Sequence, residues 1–97
     1  MRMMLRVHGD ATKGSEALKS GAAQKAIAGF IEKFKPEATY FTEVNGERAS
    51  FFVFDMKGSD QMPAIAEPFF DMGFQVHLAP CMTPDDLPGA LAAAGLA

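Results

Sequence analysis

The chain has 97 residues, 48% of them hydrophobic and 22% charged, which allows one small globular domain and excludes a multidomain enzyme, a repeat array or a disordered acidic segment. Nine Lys and Arg against twelve Asp and Glu leave a net charge of -3, with no basic stripe of the kind that neutralises phosphates, so no nucleic-acid partner is expected. A lone cysteine, Cys81, excludes an internal disulfide framework and fits a reducing cytoplasm, the default location.

Arg6 and His8-Gly9-Asp10 interrupt the opening apolar stretch far short of a signal-peptide core, and no segment approaches the ~20 apolar residues of a membrane span, so no membrane association is expected. Residues 2 to 8 alternate, with Met3, Leu5 and Val7 on one side and Arg2, Met4, Arg6 and His8 on the other, the period of a half-buried strand. Residues 9 to 15 are rich in turn formers and read as a loop. From Glu16 the spacing of Ala23, Ala26, Ile27, Phe30, Ile31 and Phe34 predicts one helix of about nineteen residues, weakened by Gly21 and Gly29 and stopped by Pro36.

Two β-branched and aromatic runs, 38 to 44 and 50 to 56, flank Asn45-Gly46, whose residues tolerate positive φ and predict a tight hairpin. Ser59 or Asp60 offers a cap for a second helix over 62 to 72, with Pro63 in its first turn and Pro68 inside it. Gly73 ends that helix and 75 to 79 supplies a fourth strand. Thr83-Pro84-Asp85-Asp86 then caps a short C-terminal helix.

The order predicts an α+β fold, a single ferredoxin-like βαββαβ domain over 1–97, with a four-stranded antiparallel sheet and two helices on one face. Right-handed crossovers are expected to make strands one and three central and parallel, and to leave two and four at the edges. Phe51-Phe52-Val53-Phe54 places large apolar groups on the helix-free face in either register. Leaving two of them wet forfeits about 1.5–3 kcal/mol each, against the ~5–15 kcal/mol that holds a whole domain. A homodimer through the helix-free sheet face is the expected partner, enclosing a cavity between two sheets.

If Met3, Leu5 and Val7 face the helices, then Arg6 and His8 face the open side, and strand four offers His77 there. Arg6 would orient an anionic or aromatic small molecule, and His8 or His77 would carry a proton near neutral pH. Tyr40 and Glu43 of strand two are more distant ligand-binding candidates, their side left open by the sequence. The structural alternative has Arg6 and Glu43 in interfacial ion pairs and both histidines as hydrogen-bonded packing residues. No cofactor or metal is expected, because His8 and His77 lack a third ligand at metal-like spacing.

Lys35-Pro36-Glu37-Ala38-Thr39-Tyr40-Phe41, the run Phe51 to Met56, Glu67-Pro68-Phe69-Phe70 and Met82-Thr83-Pro84-Asp85-Asp86-Leu87 resemble a group of short uncharacterised bacterial proteins over nearly the whole chain. More broadly the chain looks like the dimeric α/β-barrel superfamily, which includes muconolactone isomerase, EthD-like proteins and cofactor-free monooxygenases. The resemblance implies a small-molecule-binding homodimer acting as a cofactor-free isomerase or oxygenase-like enzyme. The Asn, Trp and His arrangement of the monooxygenases is not recognisable in a chain without Trp. The alternative is a non-catalytic structural or protein-interaction domain whose open face only makes the dimer or docks another protein.

Overall fold

The computed structural model describes residues 1–96. It is an α+β fold with a four-stranded sheet and four helices. Strand β1 (Arg2–Gly9) is followed by helices α1 (Ala11–Ser20) and α2 (Ala22–Phe34), the hairpin β2 (Ala38–Val44) and β3 (Glu47–Asp55), helix α3 (Met62–Phe70), strand β4 (Gln75–Pro80) and helix α4 (Leu87–Ala93). The sheet runs β2-β3-β1-β4 with every neighbouring pair antiparallel. This corrects the expectation that β1 and β3 run parallel. The Asn45-Gly46 turn reverses β3 relative to β2, and β3 inserts between β2 and β1 in that reversed direction.

The hairpin forms where Asn45 (φ 53°) and Gly46 (φ 78°) both take left-handed backbone, the two-residue turn whose twist matches its strands. It pairs Val44 with Glu47, so β3 begins three residues earlier than its aromatic run suggests. The predicted first helix is two. Asp10 is an N-cap rather than a loop residue, its Oδ1 accepting the Lys13 N–H at 2.8 Å, and the helix begins at Ala11. Gly21, at φ 83°, then ends α1 in a left-handed cap and starts α2 in a new direction, where the sequence had suggested only a weakened helix. Before α3, Ser59–Gln61 form a single 3-10 turn with no side-chain cap from Ser59 or Asp60. The Thr83–Asp86 capping box forms as predicted.

Met3, Leu5 and Val7 of β1 share a face with Phe52 and Phe54 of β3, and this face meets Phe30 of α2 and Ile65 and Phe69 of α3. Phe30 is the hub, its ring centroid 4.6 Å from Phe52 and 5.1 Å edge-on from Phe54. Such aromatic pairs add about 0.5–1.5 kcal/mol to the burial of each ring. The register sends Arg2, Met4, Arg6 and His8 of β1 to the opposite face, with Phe51 and Val53 of β3 and His77 of β4. Pro68 sits within the short α3, and Gly73 (φ 75°) closes the turn into β4. Helix α4 packs chiefly against the turn that precedes it.

Candidate functional site on the open face

Pairing register places side chains on the face opposite the core in rows across the strands. One row reads Tyr40, Phe51, Arg6, His77, and the next reads Thr42, Ala49, His8, Gln75. Direct cross-strand neighbours have Cβ atoms about 4.5–5.5 Å apart, so Arg6 is flanked at contact range by Phe51 and His77. Tyr40 shares this face and is 67% exposed, but it stands two strands, roughly 10 Å, from Arg6. Glu43 falls on the helix-facing side of the sheet, where its Oε2 accepts the Gly46 N–H at 2.8 Å, so it is not brought to the histidines.

A carboxylate the sequence reading missed takes that place. Glu47 Oε1 lies 2.7 Å from His8 Nδ1, and His8 Nε2 lies 3.0 Å from His77 Nε2. The ring centroids are 5.1 Å apart and the planes 4° from parallel. With facing nitrogens only 3.0 Å apart, the rings lie edge to edge in nearly one plane, joined by a hydrogen bond rather than stacked face to face. His8 is 5% exposed although it points to the open face, while His77 is exposed.

The proton positions follow from the donor inventory. A carboxylate only accepts, so His8 Nδ1 carries a proton and donates to Glu47. One proton then lies between the two Nε2 atoms, and in the neutral pair it belongs to His77, whose Nε2–H donates to His8. His77 Nδ1 is left as a lone pair at the exposed end of the chain of bonds. The His77 imidazole is held below its ordinary value of 6.5, first by desolvation against the sheet, then by the positive charge of Arg6 and by His8. It is therefore a neutral base at physiological pH.

Both arginines of β1 point to this face, with different surroundings. Arg2 donates from Nε to Glu37 at 2.6 Å and lies 3.5 Å from Asp86. Arg6 has no carboxylate within ion-pair distance among the described residues, and its Nε is buried without a hydrogen-bond partner. An unsatisfied buried donor costs about 1–3 kcal/mol, more when charged. Arg6 and His77 are direct cross-strand neighbours on this face. Glu47, His8 and His77 form a line rather than a ring, and among the described residues no three metal-ligating groups surround a common point.

Comparison with known proteins yields no matching family model and no matching curated protein. Among the described residues no helix is long and apolar enough to cross a membrane.

Proposed function

We propose that the protein is a small-molecule-binding homodimer of the dimeric α/β-barrel type, its open sheet face providing an anion and proton-transfer site. The fold component of this reading is ferredoxin-like. The order β2-β3-β1-β4, with β3 between β1 and β2 and β1 between β3 and β4, supports this reading.

The observation that carries the functional reading is the unpartnered Nε of Arg6 one strand away from His77. An anionic group of a small aromatic acid or enolate would satisfy the guanidinium and place an adjacent C–H or O–H at His77 Nδ1. As His77 Nδ1 takes the substrate proton, its Nε2 proton passes to His8, and the resulting imidazolium stands against Glu47. Returning that proton to another atom of the same ligand completes an isomerisation without a cofactor. Phe51 and Tyr40 supply aromatic surface along the same row.

A second copy laid on this face would exclude water from the relay and cover Met4, which is 38% exposed, together with Val53. The row Ala38, Val53, Met4, Ala79 is wholly apolar and supports the second reading, a non-catalytic interface. Native mass spectrometry with a panel of small aromatic carboxylates and phenols separates the two. The first reading expects adducts on the dimer that disappear in Arg6→Gln and His77→Gln while the dimer mass persists. Adducts insensitive to both changes, or none, leave the interface reading.

A further inference from the structure

The helix side of the sheet holds a second feature, independent of the open face. A cavity of about 320 Å³ lies between α1, α2 and the β2–β3 side of the sheet. This volume is at the lower end of the ~300–1,000 Å³ typical of small-molecule sites. Its walls are Leu18 of α1, Ile27 of α2 and Phe41 of β2, with Phe69 and Phe74 below. Gly21 separates α1 from α2 in a left-handed conformation, and the two helices line the cavity with the small Gly14 and Ala23 beside Leu18 and Ile27. Phe41 and Leu18 are 64% and 41% exposed, which is unfavourable for two large apolar groups facing each other across an opening.

One charged group lines this apolar cavity. Arg48 projects from β3 on the helix side and lies against α1, where its Nη1 reaches only two neutral oxygens, Ala11 O and Ser15 Oγ, each at 3.4 Å. Its cross-strand neighbour Glu43 accepts from the hairpin N–H of Gly46, and among the described residues no carboxylate lies within ion-pair distance of Arg48. Gly14 permits this placement, because a Cβ there would come within 3.2 Å of Nη1. A glycine inside a helix costs about 1 kcal/mol relative to alanine, and here it leaves room for the guanidinium beside α1.

We propose that this cavity binds a monocarboxylate with an unbranched or aryl apolar body of roughly ten non-hydrogen atoms, judged from about ten water-sized volumes of ~30 Å³. The carboxylate pairs with Arg48, the body covers Leu18, Ile27 and Phe41, and the ligand replaces the two long neutral contacts of the guanidinium with a charge-assisted pair.

The test is a titration of the full chain with octanoate, followed by amide NMR, with octanol and octylamine as head-group controls. Saturable shifts are expected around Leu18, Phe41 and Phe74, with octylamine the weakest ligand. Arg48→Gln is expected to weaken octanoate about tenfold or more, the loss of one charge-assisted contact, and to leave octanol unchanged. Ala23→Leu, where it folds, removes both. Arg6→Gln has no effect, which separates this site from the open face. Octanoate binding that is absent, indifferent to Arg48→Gln, or mapped to the open face overturns the proposal.

Discussion

His8 Nε2 and His77 Nε2 face each other at 3.0 Å across the β1–β4 pair, and the other nitrogen of His8 is held by Glu47 at 2.7 Å. Three strands each contribute one member, so the sheet itself holds the line straight. The arrangement expects fixed tautomers: Nδ1–H for His8 and Nε2–H for His77 at pH above the His77 transition. Long-range proton–nitrogen correlation spectra distinguish these forms. Glu47→Gln removes the carboxylate that orients His8 and is expected to leave the two tautomers mixed. An Nε2–H tautomer for His8 in the native chain would contradict the assignment.

The depressed His77 value carries a stability prediction. Below 6.5 the unfolded chain takes up a proton at this residue that the folded chain resists, down to the folded-state value. The His77 contribution is therefore fully present above pH 6.5 and is lost as the pH falls through that window. Denaturant unfolding of the native chain and of His77→Gln at a series of pH values should give a difference that shrinks on acidification across the window. A difference independent of pH, or one that grows on acidification, contradicts it.

Gly9 closes β1 where a Cβ would run into the ring of Phe74. That ring packs against the core cluster, which resists its displacement on that side. Gly9→Ala is expected to destabilise by about 1–3 kcal/mol, the range for overpacking. Equilibrium urea unfolding measures this, and Gly9→Ala with Phe74→Leu should recover part of the loss. An unchanged midpoint for Gly9→Ala would show that the ring moves freely.

Much of the sheet was legible in the sequence because its signals are local. Alternation in β1 separates Met3, Leu5 and Val7 from Arg6 and His8, and Asn45-Gly46 marks the hairpin. Glu47 was missed because strand three was started at its aromatic run. A two-residue turn pairs Val44 with Glu47, and counting back by twos from Phe51 puts Glu47 on the open side. The side of Glu43 stays open in the sequence for the same reason, since its face depends on the register that the turn imposes. The division of the first helix was hidden because a glycine is compatible both with a weakened helix interior and with a left-handed cap, and the apolar spacing continues past Gly21 either way. The Arg48 cavity has no sequence signature, because its lining is drawn from β1, β2, β3 and three helices that meet only in the folded chain.

The proposed second copy would cover the face that carries Arg6, His77, Phe51 and Met4. Sedimentation equilibrium of the native chain at low micromolar concentration, beside a Val53→Asp variant, tests this directly. Val53 lies on the open face away from the core cluster, so the variant should fold. The expected result is a native mass twice that of the protomer and a folded, monomeric Val53→Asp. A native chain that sediments as a folded single protomer, or a Val53→Asp that remains dimeric, would contradict it.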